Sequence, residues 1–297
     1  MNKIEKPLKE LHNVEVLLQA ITIYRRHFIE LFTPLLVSSM LTGLTFSVAL
    51  THTSLTTTIP IESDLNILIS RMKTFFAITL LAVIISWILN MSAGGIVVKY
   101  TSNLLEEKNL NFIDAFKTII KKLPTLLATS IISGLLIAIG FTILIVPGII
   151  FSIMFFLFIP TIVIEGGGVI SSLKRSRKLV TKRWMKTFGL MLILTALIWV
   201  ASFTSGFISG IIQSFLDGAI SYINFLFSSI ISALIAPIYF ISLTLYYYSM
   251  IIKEQNLPQP PIIMPQETKY CIQCGARISI KANFCPICGA KQFQNIN

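Results

Sequence analysis

Six long apolar runs, at about 28–50, 74–98, 125–146, 149–164, 188–213 and 225–251, leave this chain little architectural freedom. A helix needs roughly 20 residues to cross a ~30 Å hydrocarbon layer. No water reaches backbone N–H and C=O groups inside that layer, so such a run must satisfy its hydrogen bonds within itself, as an α-helix. The third and fourth runs are almost continuous. As a single helix of about 40 residues they would reach ~60 Å, twice the layer, so the chain has to turn between them. Pro147-Gly148 lies at that point and suits a tight turn. The expected fold is an all-α polytopic membrane protein with six spans, the fourth being the shortest.

Composition excludes a soluble globular enzyme. Of the 297 residues 54% are hydrophobic and 12% charged, whereas soluble domains carry about 25% charged residues. The net charge of +11 would suggest nucleic acid in a soluble protein, but in a membrane protein the placement of the charges decides their meaning. The segment before the first span, the stretches 99–124 and 165–187, and the C-terminal segment together hold 22 of the 24 Lys and Arg residues. The three opposite connections hold only Arg71 and Lys73. Basic residues stay on the cytoplasmic side, which predicts a multi-pass cell-membrane protein with both termini cytoplasmic. Arg25-Arg26-His27-Phe28 looks superficially like a twin-arginine signal, but five more spans follow and basic residues ordinarily flank a first span.

Each odd-numbered span is preceded by an amphipathic segment expected to lie in the cytoplasmic interface. The first, about Leu11 to Arg26, has Leu11, Val14, Leu18 and Ile21 at helical spacing. In the second, Phe112, Phe116, Ile119, Ile120 and Leu123 share a face, Asn111 is the expected N-cap, and Pro124 is expected to break the helix before the third span. The third sets Val169, Leu173, Val180 and Trp184 against Lys174, Arg175, Lys178, Lys182 and Arg183, the candidate anionic-lipid contacts. A faint threefold repeat would align Gln19-Ala20-Ile21, Asp114-Ala115-Phe116 and Ser171-Ser172-Leu173. The expected organisation is a cytoplasmic amphipathic segment over 1–27, a six-span domain over 28–252, a proline-rich tether over 253–270 and a metal module over 271–291.

All four cysteines fall in that module, as Cys271-Ile-Gln-Cys274-Gly and Cys285-Pro-Ile-Cys288-Gly. Two residues between paired cysteines let both sulfurs reach one ion about 2.3 Å away, and four thiolates close a tetrahedral Zn²⁺ site with no open position. Cys271, Cys274, Cys285 and Cys288 are therefore the candidate ligands of a structural ion. Four thiolates also suit iron, and two disulfides are the competing reading. With few apolar residues beyond Ile272, Ile278, Ile280, Phe284 and Ile287, the module should fold only around its metal.

Residues Tyr270 to Lys291, with Cys-x-x-Cys-Gly-Ala and Asn-Phe-Cys-Pro-x-Cys-Gly-Ala-Lys, resemble the small zinc ribbons appended to many prokaryotic, and especially archaeal, proteins. In the membrane part, Pro147-Gly148, Pro160, Glu165-Gly, Leu173-Lys-Arg175-Ser176, Thr181-Lys-Arg183 and Phe188-Gly form a second pattern. It is similar to the signature of a six-helix family that includes the membrane portion of some glycerophosphodiester phosphodiesterases, with Ser172 where that family tends to have Ala. The resemblance implies the six-span fold and gives the membrane domain no activity of its own. Phosphodiesterase chemistry in that family belongs to a separate barrel of about 250 residues, for which this chain has no room.

No catalytic constellation is visible. His12, His27 and His52 lie outside the spans or at their margins, and Glu30, Glu165 and Asp217 lie near span ends or in a loop. Glu165 is expected to pair with Arg175 or Arg177. For coupled transport the span interiors offer only Asn90, Gln213, hydroxyls and glycines, with Pro237 as a bend in the sixth span. Gly166-Gly167-Gly168 lacks the Lys-Ser/Thr of a phosphate loop and reads as a spacer. The expectation is a non-enzymatic adaptor or regulator whose ribbon docks a soluble protein, with a transporter or lipid-handling protein as the alternative. Partners expected are the bilayer, a protein and anionic lipids. Nucleic acid is not expected, because Lys269, Arg277, Lys281 and Lys291 make too small a basic surface. Reporter fusions at Thr58 and Lys108 should report from opposite sides of the membrane; both on one side would contradict six spans.

Overall fold

The computed structural model describes residues 7, 10–54, 65–108, 112–215, 221–256, 268–279 and 283–291. Asn111, Thr58 and Asp217 lie outside the described residues. The chain forms two compact units, Met1–Gln255 and Asn256–Asn297.

Among its described residues the first unit has helices and no strand. Its elements are α1 (Asn13–Arg26), α2 (Phe28–Ser54), α3 (Leu65–Leu105), α4 (Phe112–Ile143), α5 (Ile145–Met154), α6 (Phe158–Pro160) followed by a π-turn (Thr161–Glu165), α7 (Val169–Thr181), α8 (Trp184–Phe215) and α9 (Ser221–Asn256). Six stretches are long and apolar enough to cross a membrane: Phe28–Ala49, Ile69–Leu105, Phe112–Ile143, Ile145–Glu165, Trp184–Ile211 and Phe227–Ile252. The fold is the expected all-α polytopic one.

Packing is concentrated at one end, where the basic residues collect. There the start of α2 (Leu31, Leu35), the end of α3 (Val97 to Leu105), the start of α4 (Ala115, Ile119, Leu126) and the segment from Ile153 to Val163 form one core. The end of α9 is its axis. Every residue from Ile241 to Met250 is at most 4% exposed, including Tyr246, Tyr247 and Tyr248. A helix buried all round is a central helix. At the opposite end the helices present Trp199, Phe203 and Phe207, each at least 65% exposed, as a lipid-facing surface.

Some buried hydroxyls of this core find partners, while those of Thr101 and Ser242 have no hydrogen-bond partner among the described residues. Tyr246 shares a 2.7 Å hydrogen bond with Thr187, and Tyr248 lies 2.8 Å from the Ser102 hydroxyl while donating to Glu106 Oε1 at 2.6 Å. Helix α1 is pinned to the same region. The Leu11 N–H donates to Ser249 Oγ (2.9 Å), Asn13 donates to the Lys186 carbonyl (3.0 Å), and Glu10 pairs with Arg183 and, at 2.7 Å, with Lys186. At its start the His12 N–H is capped by Glu15 Oε2 at 3.0 Å.

Several local expectations change. Pro124 does not break the second amphipathic segment, because α4 runs unbroken from Phe112 to Ile143 with the proline inside it. A proline removes one helical N–H and strains one turn, which a long helix packed on its neighbours absorbs. The turn between the third and fourth spans falls at Leu144, whose extended backbone (φ −163°, ψ 150°) separates α4 from α5. Pro147 then sits in the first turn of α5, where a missing N–H costs nothing. The packed face of α1 is Val16, Ala20, Ile23 and Tyr24; of the expected stripe, Leu11 is buried while Val14, Leu18 and Ile21 are exposed. For α7 the apolar side, Leu173, Leu179 and Val180, is packed in the protein core or against it and not in lipid. Helix α9 continues to Asn256, so Lys253 is still helical.

The α4–α5 hairpin depends on two glycines. A Cβ on Gly140 would lie 2.9 Å from both the Cα and the N of Gly148, whereas one on Gly134 would meet nothing within 4 Å. Gly140→Ala should therefore push the hairpin apart and cost about 1–3 kcal/mol. Gly134→Ala should be neutral or stabilising by up to about 1 kcal/mol. Thermal melting of the two variants in detergent checks the pair.

The second unit contains an antiparallel pair, β1 (Thr268–Tyr270) and β2 (Arg277–Ser279), with Tyr270 opposite Arg277. An isolated bridge joins Phe284 and Lys291.

Candidate functional site

The two cysteine pairs sit on two matching tight turns. In the first, Cys271 N–H bonds to the Ala276 carbonyl and Gly275 N–H to the Cys271 carbonyl, both at 2.9 Å; Cys285, Gly289 and Ala290 repeat the pattern at the same distances. Gly275 (φ 70°) and Gly289 (φ 74°) take the left-handed conformation that closes each turn and that a side chain would strain. Cys271 and Cys285 are buried, and Cys274 and Cys288 exposed.

All four sulfurs lie within 4.8 Å of one another, with Cys271 Sγ 3.6 Å from Cys288 Sγ and Cys274 Sγ 3.7 Å from Cys285 Sγ. A tetrahedral ion with sulfurs at ~2.3 Å would set them about 3.8 Å apart, so the cluster is of the size that one metal ion needs. Backbone N–H groups of Cys274 and Gln273 pull the Cys271 thiol down to about 6, and those of Cys288 and Ile287 lower Cys285 in the same way. Both shifts favour the thiolate that a metal binds, whereas Cys274, despite a lowering hydrogen bond from the Ala276 N–H, is pushed up to about 12 by the neighbouring cysteine sulfurs, and Cys288 is raised as well. Four protein ligands would fill a tetrahedral coordination sphere and leave no open position on an ion bound there.

Among the described residues of this unit there is little else in its interior. Its buried cluster is Cys271 and Cys285 with Ala276 and Ala290 against them. Tyr270, Ile272, Phe284 and Ile287 are instead 68%, 72%, 60% and 75% exposed.

In the membrane unit the charges form a belt at the packed end. Arg175 donates to both oxygens of Glu165 (2.9 and 3.2 Å) and pairs with Glu254 at 2.7 Å, while Lys178 holds the other Glu254 oxygen at 2.8 Å. The expected Glu165–Arg175 pair is thus present, and Glu254, which the sequence reading passed over, is its hub on α9. Burial works against the charge on Arg175, but the two carboxylates outweigh it and raise its pKa. Glu254 is held below the ordinary carboxylate range chiefly by Lys178 and also by Arg175, against a smaller opposing effect of burial. Burial pushes Glu106 up, yet the donors Lys108 and Tyr248 bring it below the usual range.

Of the candidate lipid contacts, Arg175, Lys178 and Arg183 are engaged in ion pairs, and Lys174 on α7 and Lys182 just after it are exposed. Sequence reasoning also missed Lys122. Its ammonium donates to the Ile162 and Val163 carbonyls (3.2 and 2.8 Å), inside the π-turn. A cation facing an irregular helix end is the signal that would have found it.

A cavity of about 290 Å³ opens between α2, α3 and α9, lined by Ser39, Thr42, Asn90, Ser229 and Ser232 among others, none of them ionisable. Asn90 donates to the Ser86 carbonyl at 2.8 Å and Ser229 to the Ser39 carbonyl at 3.1 Å.

Fold and centre together define a multi-pass helical membrane protein with an appended four-thiol module able to hold a metal ion. The chain belongs to the family described as "Domain of unknown function (DUF7847)", whose model matches residues 16–250. That match concerns the membrane unit and names this family, not the glycerophosphodiesterase-related one whose signature the sequence resembles. No curated protein matches the chain, and no solved structure does.

The Glu254 clamp makes a prediction about pH. Because its folded pKa is lowered, the clamp contributes fully above the ordinary carboxylate value, and its contribution is lost as pH falls through the folded value. Hydrogen exchange over 169–181 should speed up on that acidification. Glu254→Gln should show faster exchange already at neutral pH, by up to about 1 kcal/mol of opening free energy, with a flatter pH response.

Proposed function

We propose that this protein is a non-enzymatic membrane adaptor or regulator. A structural Zn²⁺ held by Cys271, Cys274, Cys285 and Cys288 shapes its C-terminal ribbon, which docks a soluble protein on the cytoplasmic side of the cell membrane. One observation carries the reading. In a module whose buried cluster is two cysteines and two alanines, the large apolar side chains Tyr270, Ile272, Phe284 and Ile287 are turned outward. Exposed aromatic and aliphatic groups clustered on so small a unit are what a protein interface uses as anchors. The sequence around them adds Lys269, Arg277, Lys281 and Lys291 and no acidic residue between Thr268 and Lys291, which suits a partner with an apolar centre and an acidic rim.

A closed four-thiolate sphere supplies no Lewis acid for chemistry, which supports a non-enzymatic role. The concentration of basic residues beside the packed end supports the cytoplasmic orientation. A second reading, a carrier or lipid-handling protein with the ribbon as accessory, is favoured by the hydroxyl- and amide-lined cavity between α2, α3 and α9.

Deletion of residues 253–297 separates the two, abolishing an adaptor's function and only modulating a carrier's. A photo-crosslinker at Ile287 in native membranes should trap one protein, and the adduct should disappear when Cys285→Ser removes the metal. Liposomes in which the chain lacking 253–297 moved a solute or lipid at the full-length rate would overturn the adaptor reading.

A further inference from the structure

The glycine run that reads as a spacer in sequence is built as a cradle. The π-turn ends at Glu165, Gly166 takes φ 76°, and α7 starts at Val169 after Gly168, a cap without a side chain. The first three N–H groups of α7, at Val169, Ile170 and Ser171, have no carbonyl inside the helix to bond, and they carry the positive end of its dipole. Gly166 and Gly168 are exposed, so the turn is reachable from outside.

A second observation is independent of the helix end. Ser172 is 0% exposed and its hydroxyl has no hydrogen-bond partner. That hydroxyl is aimed at the glycine turn, 2.8 Å from the point a Cβ on Gly167 would occupy. The other nearest atoms to that point are Ser171 Oγ at 3.2 Å and Ser172 N at 3.7 Å, so the space is walled by polar atoms. A buried, unsatisfied hydroxyl is costly to retain unless something completes it.

Positive charge flanks the turn. Lys122 Nζ lies 3.6 Å from the Cβ position of Gly166, with two of its donors on the Ile162 and Val163 carbonyls, and Lys99 is near enough for the two ammonium groups to repel. Glu165, which precedes the turn, is paired with Arg175 at 2.9 Å.

We propose that the Gly166-Gly167-Gly168 turn binds a phosphate group through the free N–H groups opening α7, the Ser172 hydroxyl and the Lys122 ammonium. Backbone N–H groups at a helix start together with a lysine are a recurring way to hold phosphate oxygens. The phosphate is either that of a lipid headgroup or a soluble ion.

The test uses the purified full chain in detergent, titrated by calorimetry with dihexanoyl phosphatidic acid and, separately, with inorganic phosphate. Ser172→Ala removes an unpartnered hydroxyl and so should melt no lower than the parent, yet bind about tenfold more weakly. Gly167→Ala, which places a methyl in the cradle, should bind more weakly still, and Lys117→Gln, at an exposed position of α4, should bind as the parent does. Phosphatidic acid that inorganic phosphate fails to displace identifies a lipid headgroup site; displacement by inorganic phosphate identifies a soluble one. Parent-like binding by Ser172→Ala, or an equal loss in Lys117→Gln, would overturn the proposal by leaving only a diffuse basic surface.

Discussion

Charge cannot be left unpaired in hydrocarbon, and nearly every feature of this protein follows from that exclusion. The core around the end of α9 is dense and contains Tyr246, Tyr247, Tyr248, Ser242, Thr244 and Ser249, polar residues without formal charge. Carboxylates gather at the rim of that core and pair with cations there: Glu10 with Arg183 and Lys186, Glu165 and Glu254 with Arg175, and Glu106 with Lys108, while Lys122 turns its ammonium onto the Ile162 and Val163 carbonyls. The elements so joined are remote in sequence. The belt therefore ties α1 to α8 and the π-turn and α7 to α9, while the opposite ends of the helices rely on lipid for their surroundings.

How much of this is legible in the sequence depends on the range of the interaction concerned. Spans are local and compositional, so six apolar runs are enough to locate six helices. The cysteine turns are local too, since Cys-x-x-Cys-Gly fixes both the ligand spacing and the left-handed residue. What the sequence hides is the direction in which an amphipathic segment faces. Val14, Leu18 and Ile21 form a valid helical stripe, but α1 packs through Val16, Ala20 and Ile23, because a helix apolar on two sides gives periodicity no means to choose between them. Likewise Pro124 carries a real local penalty that tertiary packing overrides. The Leu144 turn lies three residues ahead of the expected Pro147 because Gly140 and Gly148 set the crossing point of the hairpin.

Residues engaged across long sequence separations were the hardest to foresee. Glu254 is a lone acid after the last span, and only the fold brings Arg175 and Lys178 to it. Lys122 finds the carbonyls of Ile162 and Val163, which are freed by a π-turn that no periodicity announces. The same irregular turn delivers the three glycines and Ser172 to one place. A stretch that is featureless as a motif thus gains its chemistry from the elements placed beside it.

The metal module stands apart in its physics. Among its described residues it has almost no apolar interior, which leaves the four thiols as the groups that a metal ion could tie together, and Tyr270, Ile272, Phe284 and Ile287 are exposed. X-ray absorption at the zinc edge of the purified chain tests this most directly. A first shell of four sulfurs at about 2.3 Å is the expected result. Nitrogen or oxygen ligands in that shell, or a chain that folds with no metal bound, would contradict it.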